Sequence, residues 1–278
     1  MIYSRSLRPK QWAKNLLLFF APFAAGIQSL PDLLTLGLGF IAFSIASSIG
    51  YLFNDLNDLD IDRKHPKKSL RPLASGSIST KSVIWLSLIL FLILTALLSL
   101  LPRAFTFIVI LYLINTYWYT AILKKIPVVE MFSVAFGFIL RLIAGALLLE
   151  LKISSWFLIV GGFGAVFVVT AKRLAELRQA KHQAMRKVVE EYTDEFLYSS
   201  LSISASVCLT GYCIWALTQE QNAFWYQLSV APFVMSLFRY RWMSERSIVE
   251  APEDAILGDR TLLLLSICLI SSLAIAVY

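Results

Sequence analysis

Apolar residues run through this chain in long stretches that are separated by short polar loops. A helix needs about 20 mostly apolar residues to cross a bilayer, and nine stretches meet that length. They lie at residues 12–31, 34–54, 82–101, 104–122, 128–149, 154–172, 196–218, 223–240 and 260–278. The pattern predicts an all-α polytopic membrane protein with nine transmembrane helices. No polar block is long enough to fold separately, so we predict one domain over residues 1–278.

The lysines and arginines lie almost entirely in the loops at one end of these predicted helices. The chain is 58% hydrophobic, with a mean hydropathy of +0.71 and a net charge of +7. Because positively charged loops stay in the cytoplasm, we predict that the N-terminus and the long loops are cytoplasmic. This topology explains the net charge, so the charge does not indicate nucleic-acid binding. Membrane lipids are the expected surroundings.

The most informative polar stretch follows the second predicted helix and begins at Asn54. If that helix continues, Asp55, Asp58 and Asp62 share one face, because they are spaced i, i+3, i+7. Carboxylates this close repel one another unless a cation lies between them. Oxygen ligands suit Mg²⁺, which usually also binds substrate phosphates. We therefore predict that these three aspartates are catalytic and hold Mg²⁺; the competing interpretation is a helix end that only carries solvated charge.

Basic residues follow this acidic stretch directly, and a further arginine lies inside a predicted helix. Lys67 and Arg71 are placed to contact the phosphates of a diphosphate. Arg141 lies near the middle of the fifth predicted helix, where a charged side chain is costly and usually faces a cavity or a partner. It either binds a phosphate, for which a guanidinium is well suited, or forms a structural ion pair, with Glu130 as the candidate.

At the acidic stretch the sequence resembles the UbiA prenyltransferase superfamily. The resemblance rests on Asn-Asp-x-x-Asp-x-x-x-Asp from Asn54, followed by a basic run and Arg-Pro-Leu-Ala-Ser-Gly from Arg71. The start Arg-Pro-x-Gln-Trp-x-Lys-Asn from Arg8 is similar to the decaprenyl-phosphate phosphoribosyltransferase subgroup. Segments near Tyr119, Gly137 and others to the C-terminus extend this resemblance over essentially the whole chain.

The resemblance implies a UbiA-type helical bundle in a bacterial inner membrane, with an active site that opens to the cytoplasm. It implies Mg²⁺-dependent transfer of 5-phosphoribose from phosphoribosyl pyrophosphate to a polyprenyl phosphate, with pyrophosphate as the second product. We predict substrate contacts beyond the aspartates. These involve Asn54, Lys67 and Arg71 at the pyrophosphate, Lys14, Lys124 and Arg141 at the donor's phosphates, and Lys172 and Arg173 at the lipid phosphate.

The main alternative is an aromatic prenyltransferase that uses a prenyl diphosphate. Members of the superfamily with that activity have a second motif of repeated aspartates, whereas this chain has no aspartate between Asp62 and Asp194. A transporter of phosphorylated solutes would more often show internal repeats with broken helices at the midplane. The sequence leaves the polyprenyl length and the oligomeric state open, a homo-oligomer included.

Overall fold

The computed structural model describes residues 2–65, 68–179, 187–246 and 252–278. Every regular element in these ranges is a helix, which confirms the predicted all-α class. The α-helices of the described residues follow in chain order. They are α1 (Ile2–Ser6), α2 (Phe20–Ala24), α3 (Leu30–Asn57), α4 (Leu59–Lys64), α5 (Thr80–Leu98), α6 (Arg103–Ala121), α7 (Val129–Leu148), α8 (Ser155–Gln179), α9 (Lys187–Glu190), α10 (Asp194–Leu217), α11 (Ala223–Leu228), α12 (Val230–Glu245), α13 (Pro252–Gly258) and α14 (Arg260–Val277). Three 3₁₀ segments, Pro9–Phe19, Lys68–Leu70 and Leu123–Lys125, complete the order.

Seven of the described helices are long and apolar enough to cross a membrane, where the sequence predicts nine. They are α3, α5, α6, α7, α8, α10 and α14, and this number of apolar helices is typical of an integral membrane protein. The predicted helix 12–31 is instead the 3₁₀ segment Pro9–Phe19 followed by α2.

The predicted helix 223–240 is divided at Ser229 into α11 and α12. Proline explains this break. The ring of Pro232 clashes with the carbonyl four residues earlier in a continuous helix, and that carbonyl belongs to Leu228, the last residue of α11.

The chain divides into two compact units, and the prediction of a single domain stays a prediction. Unit 1 comprises Met1–Pro22, Ile27–Lys124 and Leu140–Leu151, and unit 2 comprises Phe23–Gly26, Lys125–Ile139 and Lys152–Tyr278.

Unit 1 is built on α3, whose 28 residues pack against α5, α6 and the segment Pro9–Phe19. Small residues allow close approach in this unit, as is usual where helices pack in lipid. A Cβ added at Gly145 would lie 1.8 Å from the carbonyl oxygen of Leu18, so only glycine fits there. The buried serines of α3, Ser44, Ser47 and Ser48, face this interior and are hydrogen-bonded.

Unit 2 is built on α8 and α10, which pack along each other, and on α12 against α14. Its apolar core includes Phe167, Leu174, Leu197 and Leu201, each almost fully buried. The end of α8 that is predicted to be cytoplasmic carries the basic residues Lys172 and Arg173.

Candidate active site

The helix that carries the acidic stretch extends past the predicted end at residue 54 but does not continue unbroken through all three aspartates. α3 stops at Asn57, Asp58 has φ −99° and ψ 9°, and α4 starts at Leu59. The single helical face predicted for the three aspartates is therefore wrong. The turn at Asp58 redirects the chain, so that Asp55 and Asp62 come together across it while Asp58 faces elsewhere.

Asp55 and Asp62 converge on the guanidinium group of Arg71. Its Nη1 lies 3.2 Å from Oδ1 of Asp55 and in contact with Oδ2 of Asp62. Lys68 lies 3.9 Å from the other oxygen of Asp62. Both carboxylates are buried, with residue exposures of 6% and 2%. Two carboxylates therefore point at one position, and a cationic nitrogen occupies it.

Apolar contacts hold the loop that delivers Arg71. After the 3₁₀ turn Lys68–Leu70 the chain reverses, with Gly76 at φ 77°. Leu73 and Ile78 are buried against Leu52 of α3. Because these anchors lie on both sides of the turn, the position of Arg71 is set by packing as well as by charge.

Asp58 pairs with Lys124, which lies at the 3₁₀ segment after α6. Its Oδ1 also accepts a hydrogen bond of 3.0 Å from Asn57. Burial disfavours the charged carboxylate, but the hydrogen bond and the charge of Lys124 outweigh it and lower the pKa of Asp58. Asn54, also predicted as a site residue, accepts a bond of 3.5 Å from the hydroxyl of Thr120. The structure thus brings the predicted site residues Asp58 and Lys124 into contact.

Arg8 belongs to this cluster, and sequence reasoning missed it as a site residue. Its guanidinium contacts Asp55 and stacks over the ring of Tyr51 at 5.0 Å. Its backbone has φ 52° and ψ 59°, a left-handed conformation that is uncommon for a residue other than glycine. Burial, opposed by the charge of Asp55, lowers the pKa of this arginine. The Arg-Pro start was visible in the sequence, but nothing in it pairs Arg8 with a residue 47 positions away.

Arg141 is buried in unit 1 among neutral oxygens and aromatic rings. It donates to Oδ1 of Asn15 at 2.7 Å, to the hydroxyl of Tyr112 at 3.1 Å and to that of Ser47 at 3.3 Å. Its guanidinium lies 4.7 Å from the ring centre of Tyr112 and 5.3 Å from that of Phe43. These contacts give Arg141 a structural role that joins α7 to α3. Its predicted contact with a phosphate stays a prediction.

Of the other predicted residues, Lys14 donates to Gln11 at 2.5 Å, and Lys67 lies outside the described residues. Lys172 is half-buried near the end of α8.

In unit 2, Arg173 is held between two carboxylates. It donates two bonds of 2.5 Å to Glu130 and one of 2.7 Å to Glu176. The Glu130–Arg173 pair is almost fully buried, with side-chain exposures of 0% and 3%. Tyr192 donates to Glu130 at 3.4 Å and accepts from the amide of Val128 at 2.7 Å. The ion pair with Glu130 gives Arg173 a structural role that the sequence did not reveal. The predicted contact of Arg173 with a lipid phosphate stays a prediction.

The sequence profile of the UbiA prenyltransferase family matches residues 15–275. This chain belongs to that family. The UbiA family member is 33% identical to the decaprenyl-phosphate phosphoribosyltransferase of Mycobacterium tuberculosis, over 98% of its own length and 93% of the relative's. It is 31% identical to the protein of the same name from Corynebacterium glutamicum, over 99% and 86% of the two lengths. The resemblance inferred from the motifs is confirmed.

Solved structures share the fold of this UbiA family member. A UbiA homolog from Archaeoglobus fulgidus bound to DMAPP and Mg²⁺ matches with a TM-score of 0.75 and 22% identity, over 100% of this chain and 99% of the homolog. The same homolog bound to GPP and Mg²⁺ matches with a TM-score of 0.71 and 21% identity over the same shares. At these identities the match shows the fold alone, and it confirms the predicted UbiA-type bundle.

The residues of the acidic cluster fit a divalent ion in part. In the described residues no three histidine, cysteine or acidic side chains lie close enough to form a complete metal cage. Mg²⁺, however, is commonly held by one or two carboxylates, with water and substrate phosphates as its other ligands. Asp55 and Asp62 meet that requirement, since their oxygens already converge on one cationic atom.

Proposed function

We propose that this UbiA family member transfers 5-phosphoribose from phosphoribosyl pyrophosphate to a polyprenyl phosphate, with Mg²⁺ as its cofactor. The observation that carries the proposal is the pairing of three carboxylates with four cationic side chains in unit 1. The carboxylates are Asp55, Asp58 and Asp62, and the cations are Arg8, Lys68, Arg71 and Lys124. A cluster with more cations than anions, in which two of the anions converge on one cationic nitrogen, suits a substrate that carries several phosphates.

Asp55 and Asp62 would hold the ion, and Arg8 and Arg71 would then exchange these carboxylates for oxygens of the donor's pyrophosphate. The ion supplies charge neutralisation on the pyrophosphate that leaves. The role of Asp58 as a third metal ligand stays a prediction, because it requires the carboxylate to leave Lys124. In its present position Asp58 instead sets the place of the Lys124 ammonium group.

In the reaction, an oxygen of the lipid phosphate bonds to C1 of the ribose while the bond from C1 to the pyrophosphate oxygen breaks. The electron pair of the broken bond leaves with pyrophosphate. A lipid phosphate is already anionic near neutral pH, so the chain need not supply a strong general base. What the protein contributes is the positioning of two highly charged reactants and the stabilisation of charge on the leaving group. The other proposed donor contacts remain Asn54, Lys14, Lys67, Lys124 and Arg141, and the proposed acceptor contacts remain Lys172 and Arg173.

The names of the relatives favour this donor over a prenyl diphosphate. An aromatic prenyltransferase remains the second candidate, because solved homologs of this fold bind DMAPP or GPP. The carboxylates of unit 2 argue against a second metal site of that kind. Glu130 and Glu176 both pair with Arg173, so each of these carboxylates already has a cationic partner.

We further propose that the N-terminus and the acidic cluster face the cytoplasm of a bacterial inner membrane. The segment from Pro9 to Ala24 and the pair α11–α12 would then cross the bilayer as interrupted helices, which gives the nine crossings predicted from the sequence. The support for this orientation is the concentration of lysine and arginine in the loops at one end of the helices.

The proposal is tested with purified protein, phosphoribosyl pyrophosphate, Mg²⁺ and a polyprenyl phosphate, with the lipid product measured by mass spectrometry. The expected product is polyprenyl phosphoribose 5-phosphate, and pyrophosphate should be released in equal amount. Thermal unfolding provides a second measurement. Phosphoribosyl pyrophosphate should stabilise the protein only with Mg²⁺, and geranyl diphosphate should have little effect. Prenylation of an aromatic acid, or the reverse order of stabilisation, would favour the second candidate.

A further inference from the structure

The start of α14 and the end of α12 lie at a membrane boundary in unit 2. α14 has 18 residues and is apolar enough to span a membrane. At 1.5 Å per residue it is about 27 Å long, close to the ~30 Å of the hydrocarbon core. Asp259 and Arg260, at its first turn, must therefore lie at the boundary between lipid and water. Arg239, in the second half of α12, donates to both oxygens of Asp259, at 3.1 and 2.6 Å, which places this part of α12 at the same level.

Trp242 carries a guanidinium group on its indole ring from each of two arginines. The Cζ atoms of Arg239 and Arg246 lie 4.4 and 4.3 Å from the ring centre. The charge of Arg239 is balanced by Asp259. Arg246 and Arg260 are exposed, and neither forms an ion pair within the part of the chain that the structure describes. A positive charge is thus presented beside a tryptophan that is 39% exposed.

The surroundings of this tryptophan are apolar and exposed. Phe238 of α12 is 67% exposed, and Leu257 of the short helix α13 is 77% exposed. Tryptophan is enriched at the headgroup level of membranes, where its ring is partly in lipid and its N–H in water. Arginine next to it meets the phosphate layer, since a guanidinium can donate two parallel hydrogen bonds to one phosphate. Stacking on a ring holds the guanidinium plane before any ligand arrives.

We propose that the surface formed by Trp242, Arg246 and Arg260 binds the phosphate groups of anionic phospholipids in the surrounding bilayer. The positive charge of Arg246 and Arg260 selects anionic over neutral headgroups, and the exposed apolar side chains keep the surface at the depth of the phosphates. The site lies wholly in unit 2. It does not depend on the identity of the donor substrate, so it can fail or succeed independently of the proposed transferase activity.

The test compares thermal unfolding in nanodiscs of phosphatidylcholine with unfolding in nanodiscs that also contain phosphatidylglycerol. The anionic lipid should raise the midpoint for the unaltered protein by about 2–4 °C, and high salt should reduce this rise. Arg246→Gln should lose at least half of the rise. Arg103→Gln is the control, because Arg103 is also an exposed arginine at the end of a helix but has no stacked ring among the described residues. It should keep the rise.

The proposal is overturned if Arg246→Gln keeps the full rise, or if Arg103→Gln loses as much. A third set of nanodiscs, with a polyprenyl phosphate in place of phosphatidylglycerol at equal charge, distinguishes the two lipid phosphates. A rise with the polyprenyl phosphate alone would make the surface part of an acceptor site and would refute binding of bilayer phospholipids. Trp242→Leu should behave as Arg246→Gln does, because it removes the ring while it keeps an apolar side chain.

Discussion

Replacing Glu130 by glutamine should destabilise unit 2 strongly. Glu130→Gln keeps the size of the side chain and removes its charge, which takes away the buried anionic partner of Arg173. Breaking a buried ion pair by removing one partner costs about 3–5 kcal/mol. Arg173 keeps its bond of 2.7 Å to Glu176, which is more exposed. We therefore expect a loss at the lower end, about 3 kcal/mol.

Thermal unfolding in detergent or nanodiscs measures this loss. For a chain of this length a change of 1 kcal/mol shifts the midpoint by about 2 °C, so the expected fall is about 6 °C. The control is the pair Arg241–Glu245 in α12, an Arg–Glu pair of 3.0 Å in which both side chains are 33% exposed. Exposed pairs contribute about 0–1 kcal/mol. Glu245→Gln should lower the midpoint by about 2 °C or less.

A double variant separates the cost of the lone charge from general damage. Glu130→Gln combined with Arg173→Gln removes both charges, so it should be less destabilised than the sum of the two single variants. If the loss of stability in the double variant equals the sum of the losses in the two single variants, the cost does not come from breaking the ion pair. The reasoning is equally refuted if Glu130→Gln shifts the midpoint no more than Glu245→Gln.

Three further predictions concern the candidate active site and the packing of unit 1. Asp62→Asn should lower kcat by about 10²–10³ and raise the Mg²⁺ concentration needed for half-maximal rate. Asp58→Asn should instead raise the donor KM, because it frees Lys124. Identical Mg²⁺ titrations for the two variants would contradict these separate roles. Removal of divalent ions with EDTA should abolish turnover, and Mg²⁺ should restore it; turnover that persists in EDTA would exclude the metal proposal. Gly145→Ala should lower the free energy of unfolding by about 1–3 kcal/mol or more, because its Cβ would meet backbone atoms. Gly37→Ala should raise it by about 0.5–1 kcal/mol, because its Cβ would meet open space. Unfolding midpoints that shift in the same direction would refute the packing argument.

The sequence predicted the class of the protein and its family, because both depend on features that a single sequence carries. Long apolar stretches indicate membrane-spanning helices, and the motif that begins at Asn54 is specific to the UbiA family. The interruptions at Ser229 and near Pro22 were missed although proline signals them, since hydropathy counts only whether residues are apolar. An apolar stretch that contains a proline such as Pro232 can still be apolar enough to count as one continuous helix.

The geometry of the acidic cluster was predictable only in part. Spacing alone places the three aspartates on one face if the helix is continuous, and the turn at Asp58 removes that condition. The pairs that replace the predicted face are long-range: Asp55 with Arg8, and Asp58 with Lys124, 66 residues away. A single sequence does not show which residues so far apart along the chain are in contact. Arg71 was predicted because it belongs to the basic run that directly follows the aspartates, and a loop of nine residues is enough to return it to Asp62.

The distribution of charge bears on how many metal ions the chain can hold. In unit 1 two buried carboxylates converge on a single cationic nitrogen, so a divalent ion could replace that nitrogen without further rearrangement of acidic groups. In unit 2 the buried carboxylate of Glu130 makes two bonds to Arg173, and freeing it for a metal would leave that arginine with Glu176 alone, at a cost of about 3 kcal/mol. A donor that brings an additional phosphate needs cations more than it needs a second metal. The Mg²⁺ dependence of donor binding should therefore follow a single class of site, and two resolved classes would contradict this account of unit 2.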